Sequence, residues 1–341
     1  VAARQTTRVA PRAVVLVLLG YLAVVVWLTW PLAASPFAHI PCTGVACVFD
    51  TLYSAWVLAW ESHALGSSPL DLTNGNIYHP APNAVLYGPA GLGALPYFAP
   101  IYAISGSAAF ALNATFLLCV ALTAAGLHLV VLRWTGRHWA GAVAAAVLLT
   151  NRWLLWGFVG TAPHLAALQY FPFIVLLAAM PRPGILWPLS LFVLVVLQCS
   201  TDPVYVAPAV LAPLGVLTLA RLGRRASRAE GARLTLVLVA AVVTLAPIYL
   251  LYLQLRESNP DLAAQSLWRH VKELPFELAS LFLQGRRSTT IGPAALGLVL
   301  AGAALAISRR LPRRAALAHT CELPRGAAWG HAALWAAVGT L

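Results

Sequence analysis

The stretch that decides the fold is residues 49–87, FDTLYSAWVLAWESHALGSSPLDLTNGNIYHPAPNAVLY. It is the long segment of the first two thirds of the chain that is not uniformly apolar. It holds Asp50, Glu61 and Asp71, three of the ten acidic residues, together with His63, His79, three tyrosines and two tryptophans. The chain on either side of it has the character of membrane helix. The side of a membrane that takes this loop therefore fixes the topology of everything else.

The flanks earn that description by composition. Of the 341 residues, 60% are hydrophobic and 9% are charged, and the mean hydropathy is +0.80. A soluble domain carries about 25% charged residues, so the chain belongs to the polytopic membrane class. At about 20 residues per crossing, seven to nine helices fit. The formal charge of +12 does not signal nucleic acid, because the basic residues sit in short clusters between apolar runs. That pattern marks topology and excludes a nucleic-acid partner. Arginine accounts for all the basic residues except Lys272.

Working outward, Arg4, Arg8 and Arg12 precede an apolar run over residues 14–32, followed by Ala33-Ala34-Ser35. This order fits a signal peptide or an uncleaved first helix. The length of the run and the spans that follow favour the helix. Further spans are expected over 108–132, 139–150, 164–180, 185–199, 204–222, 234–255 and 291–307. Residues 85–104 are apolar but carry Pro89, Pro96 and Pro100. Proline breaks a regular helix, so this segment is assigned to the loop as interfacial or re-entrant.

Charge checks the assignment. If residues 85–104 do not cross and the amino terminus is cytoplasmic, sixteen of the twenty-two basic residues fall on the cytoplasmic side. A crossing there would put the arginine clusters outside, against the positive-inside rule. The expected fold is all-α, with about eight transmembrane helices and interfacial helices in a large outer loop over 34–107. A single membrane domain covers 1–308. Residues 309–341 read as a basic cytoplasmic tail or an incomplete carboxy-terminal region. Acids contribute little to orientation, yet eight of the ten gather on the outer side under this topology. That face is where chemistry is expected.

Taken as a helix, residues 49–65 align Asp50, Ser54, Val57 and Glu61 on one stripe at about 3.6 residues per turn. Leu52, Trp56, Ala59, Trp60 and His63 form an aromatic edge suited to the headgroup layer. Asp50 also suits a helix start, and a solvated charge would account for Glu61. Asn76, Tyr78 and His79 follow a turn and carry groups that hydrogen-bond sugar hydroxyls or phosphate oxygens. Such a loop can equally be tied down by its own side chains. His164 and Gln169 sit at the mouth of one span, and Asp202 and Tyr205 lie between two others. An Asp there is also an ordinary cap. Arg256, Arg269, Lys272, Arg286 and Arg287 are available to a phosphate. Cys42 and Cys47 flank a short outer loop where a disulfide can form. Nucleophile elbow, Walker loop, HExxH and dinucleotide fingerprint are all missing from the sequence.

Three motifs point to a family. Asp50-Thr-Leu-Tyr-Ser-Ala55-Trp56-Val-Leu-Ala59-Trp60-Glu61 has the form D-x4-A-W-x-L-A-W-[DE]. Asn76-Ile77-Tyr78-His79-Pro80 has the form N-I-[FY]-x-P, and Leu132-Arg133-Trp134-Thr135-Gly136 the form L-R-x-T-G. Over residues 12–205 the chain resembles the multi-spanning membrane glycosyltransferases of the GT-C superfamily, in particular their bacterial branch. The resemblance implies transfer of a sugar from a polyprenyl-phosphate donor to a glycan, lipid or protein acceptor at the outer face of a bacterial inner membrane. It implies Asp50 as the catalytic carboxylate or the ligand of a divalent cation, Mg or Mn. It implies Glu61, Asn76, Tyr78, His79, His164, Asp202 and Tyr205 as substrate-binding residues. Many members carry paired acids where this chain has Asp50 and Thr51. An envelope-assembly or lipid-handling protein and a transporter are the alternative expectations.

Overall fold

The structure is a computed structural model that describes residues 11–42, 46–151, 154–155 and 159–259. The chain divides into two compact units, Leu16–Leu274 and a second that combines Val1–Val15 with Pro275–Leu341. Only residues 11–15 of the second are described. The expected span over 291–307, the boundary at 308 and the tail all lie outside the described residues.

Among the described residues every regular element is helical. The helices are α1 (Pro11–Leu28), α2 (Ala46–Ser67), α3 (Leu95–Ser105), α4 (Ala108–Thr135), α5 (His138–Leu149), the single turns α6 (Val159–Thr161) and α7 (Pro163–Ala166), then α8 (Phe171–Ala179), α9 (Leu186–Cys199), α10 (Val206–Leu222) and α11 (Arg228–Ser258). Three stretches, Pro11–Leu28, Ala108–Thr135 and Arg225–Ser258, are long and apolar enough to cross a membrane. The others that align with expected spans are shorter apolar helices of 10–17 residues. α4 is the centre, with 72% of its apolar window buried against 6% for α1 and 22% for the last long helix. Leu16, Leu19 and Trp27 on α1, and Leu236, Val239 and Val243 on α11, stay exposed. Such a run of uncovered apolar side chains belongs against lipid.

Two expectations change. Residues 95–105 form a regular helix despite their prolines. Pro96 occupies the first turn, where a missing N–H costs nothing. Pro100 lies one turn further in and is accommodated inside the helix. At 11 residues α3 is too short to cross. The expected single span over 164–180 is broken between Ala166 and Phe171. The break is held by Gln198 on α9. Its side-chain N–H donates to the Ala167 carbonyl (2.7 Å), and its carbonyl accepts the Tyr170 N–H (3.0 Å). Irregular backbone among apolar helices is tolerated when protein satisfies it.

The two ends of the bundle differ. At one end arginines bind the neighbouring helix termini. Arg133 donates to the Met180 sulfur (3.0 Å), Arg221 to the Ala178 carbonyl (2.7 Å) and Arg233 to the carbonyls of Arg182 and Gly184. At the other end uncharged side chains make many of the ties. Gln169 and Tyr170 both donate to the Gly93 carbonyl (3.0 and 3.1 Å), and Tyr249 donates to the Cys199 carbonyl (2.9 Å). α2 is wedged into this end. Leu58 packs with Phe98 and Phe116, while Val57, on the adjacent face, packs with Val85, Leu86 and Tyr252.

Candidate functional site

α2 runs past both ends of the helix expected at 49–65. It turns its polar stripe inward, with Ser54 at 6% exposure and Glu61 at 1%, while Asp50 in the second turn stays exposed. The expected aromatic edge is partly covered by protein, with Leu52 and His63 at its ends exposed. Trp56 and Trp60 are half-buried against the cluster around Val85 and Tyr252. Beside Asp50, the Thr51 hydroxyl donates to the Thr161 carbonyl (3.4 Å) and holds the start of α2 against α6. That contact brings Asp50 to His164, one residue into α7, and the two interact electrostatically.

His164 meets a second carboxylate. Its Nε2 lies 3.9 Å from Asp202 Oδ2, with the two side chains 12% and 1% exposed. The other oxygen of Asp202 accepts the N–H groups of Val204 (3.0 Å), Tyr205 and Val206 (3.2 Å), closing the entry to α10. The cap expected at Asp202 is thus made by one oxygen, while the other faces His164. Tyr205 is 41% exposed beside Asp202 and within electrostatic reach of Arg256 in the last turn of α11. Asp50, His164, Asp202 and Tyr205 come from three separate stretches of sequence and share one site.

The other candidates are elsewhere. Asn76 accepts the Trp56 indole N–H (2.8 Å), and Tyr78 packs its ring against Tyr87 at 5.3 Å. His79 is exposed next to them. Glu61 lies three turns along α2 from Asp50, within electrostatic reach of Tyr53 and Tyr252. Sequence reasoning missed these tyrosines. The Tyr53 hydroxyl donates to the Val85 carbonyl and accepts the Gly88 N–H (3.0 Å). The Tyr252 hydroxyl donates to the Gly88 carbonyl (2.8 Å) and accepts the Ala90 N–H (2.9 Å). Together they pin residues 85–90, the segment whose placement was in question. The available signal was Tyr249 and Tyr252, one turn apart near the end of an apolar helix.

Partial desolvation beside the protein raises the Asp50 carboxyl above the usual aspartate range although the residue as a whole is exposed, with the His164 imidazole pulling the other way. Burial pushes Glu61 well above its ordinary value, and its Oε2 has no hydrogen-bond partner. A raised folded-state value means that the folded protein holds a proton the unfolded chain has released. Glu61 therefore lowers stability progressively as pH climbs from the ordinary glutamate value toward the raised one. Glu61→Gln, a neutral side chain of similar shape, is expected to melt higher than wild type at pH 7 and to flatten that decline. Thermal unfolding in detergent between pH 5 and 8 checks it, and parallel wild-type and variant curves would refute it.

Among the described residues no group of three or more His, Cys, Asp or Glu side chains is disposed to hold a metal. Asp202 has already committed one oxygen to three N–H groups. Cys42 is disulfide-bonded, and the side chain of Cys47 lies outside the described residues. Compared with models of known protein families, with curated proteins and with solved structures, the chain finds no match in any of the three.

Proposed function

We propose that the chain is a membrane glycosyltransferase. It moves a sugar from a polyprenyl-phosphate donor to a glycan, lipid or protein acceptor at the outer face of a bacterial inner membrane. In this reading the amino terminus is cytoplasmic, about eight helices cross, and the arginine-tied end faces the cytoplasm by the positive-inside rule. The observation that carries it is the meeting of Asp50, His164 and Asp202 at the opposite end.

Asp50 acts as the general base. Its raised carboxyl suits proton abstraction better than an ordinary aspartate does. It removes the proton of the acceptor hydroxyl as that oxygen attacks the anomeric carbon. The bond from the anomeric carbon to the phosphate oxygen breaks, and polyprenyl phosphate leaves with the electron pair. His164, between the two carboxylates, supports the charge that passes to and from Asp50. Arg256 is the described cation on this side that is available to the leaving phosphate.

The test is complementation in the native host at matched membrane levels. The readout is envelope glycans and lipid-linked sugar by mass spectrometry. Asp50→Asn removes the base but keeps the shape of an exposed side chain. It is expected to lower transfer by about 10²–10⁴-fold, with loss of one glycan and build-up of its donor. In wild type the rate should fall with decreasing pH sooner than an ordinary aspartate would dictate, since a raised carboxyl is protonated earlier. If Asp50→Asn restores wild-type glycans to a deletion strain, the transferase reading fails and a non-enzymatic lipid-handling role replaces it.

A further inference from the structure

Away from the Asp50 site, the second half of α2 and the turn after it border an open-sided cavity of about 280 Å³. Trp60, His63, Ser67, Ser68, Asp71 and Asn74 line it. The Trp60 indole N–H is covered by protein and makes no hydrogen bond, so the carbon part of the ring is what the cavity meets. His63 stands 6.0 Å away at 49° to that ring. On the other side, Asp71 Oδ1 accepts the Asn74 side-chain N–H (3.2 Å), and Asn74 Oδ1 accepts the Asn83 N–H (2.8 Å). These bonds hold the two side chains in place. They leave Asp71 Oδ2 and the second Asn74 N–H for a ligand. The Ser67 hydroxyl gives its proton to the His63 carbonyl (3.0 Å) and retains its lone pairs.

The geometry points to a second binding site here, for a single neutral pyranose ring. The cavity is just under the roughly 300 Å³ at which small-molecule sites begin, so it takes one ring. A pyranose has an apolar C–H face and a rim of hydroxyls that both donate and accept. This lining offers an aromatic carbon surface on one side, and a carboxylate, a carboxamide and two hydroxyls on the other. A phosphate is disfavoured, because no Lys or Arg lines the cavity and Asp71 would repel it. A quaternary ammonium would look for several aromatic faces, and one indole is present. Along α2, Asp50 and Trp60 are separated by ten residues, about 15 Å of helix rise. This cavity therefore belongs to a different sugar from the one reacting at Asp50. Its occupancy does not depend on transfer.

Saturation-transfer NMR on the full chain in detergent micelles tests it, with methyl α-glucopyranoside, α-mannopyranoside and α-galactopyranoside as probes. Choline and inorganic phosphate serve as comparators. At least one pyranoside is expected to receive saturation from the protein. Asp71→Asn, at an exposed position, should weaken it about tenfold, and Trp60→Leu should abolish it. Asp50→Asn should bind as wild type does. Binding of choline or phosphate without any pyranoside would overturn the assignment, as would an Asp71→Asn protein that binds like wild type. If Asp50→Asn removes the signal, the sugar occupies the Asp50 site, and the second site does not exist.

Discussion

Replacing Gly93 by alanine is expected to prevent the protein from folding. An added Cβ would stand 2.1 Å from the Leu197 carbonyl oxygen and 2.1 Å from Thr201 Oγ1. The first of these is backbone inside α9 and has no rotamer to move to. The loop cannot retreat either, because the Gly93 carbonyl accepts hydrogen bonds from both Gln169 and Tyr170. Shifting Gly93 would leave a buried amide and a buried hydroxyl without their acceptor, at roughly 1–3 kcal/mol each. With the overpacking strain added, the loss exceeds about 4 kcal/mol, most of what a marginally stable protein has. The expected result is little monodisperse protein after detergent extraction. The control is Gly66→Ala near the end of α2, where a Cβ meets nothing within 4 Å; it should behave as wild type. A Gly93→Ala protein that melts with wild type would mean that this approach of loop to helix is wrong.

The second large effect is expected at Asp202. Alanine there strips the acceptor from three N–H groups at the start of α10, in a position 1% exposed. Losing a cap costs about 0.5–2 kcal/mol. Burial of the orphaned donors brings the total to roughly 2–4 kcal/mol, a fall of several degrees in Tm. Asp202→Asn keeps an acceptor oxygen for the same donors and gives up only the charge facing His164. Its loss should be less than half that of alanine. If the two variants fall equally, the ion pair and not the cap holds this corner. If neither falls, Asp202 does not organise the α10 entry at all.

The helical runs were legible because apolar length is a local property. α1, α4, α5, α9 and α10 begin and end within a few residues of the stretches marked by composition alone. The polar stripe of α2 was legible for the same reason. Its spacing placed Ser54, Val57 and Glu61 on one face, and that face is buried. The break between α7 and α8 was not legible. It depends on Gln198, about thirty residues away, and amide side chains inside an apolar run carry no marker of what they bind. The pinning of residues 85–90 by Tyr252 was hidden too, since its two partners lie more than 160 positions earlier. At the site, single residues were legible from type and place, while it was the resemblance and not the residues' own spacing that put Asp50, His164, Asp202 and Tyr205 together. Nothing in the spacing of residues 50, 164 and 202 states that they meet. Conversely, Asn76, Tyr78 and His79 drew attention by chemistry alone. Asn76 is held by Trp56 and Tyr78 packs on Tyr87.

The central position of α4 bears on how the protein is made. This helix carries polar side chains into the core, among them Asn113 and His128. Asn113 donates to the carbonyls of Pro36 and His39 (2.8 and 2.7 Å), and His128 Nδ1 pairs with the Tyr21 hydroxyl (2.7 Å). All three partners are N-terminal to α4. During synthesis they have left the ribosome before it does, so a helix whose polar groups would be costly in bare lipid finds partners already synthesised. Its next neighbour, α5, follows after two residues and brings His138 to 3.2 Å from His128 Nε2. The helix most in need of company thus emerges behind the very segments that hold partners for Asn113 and His128.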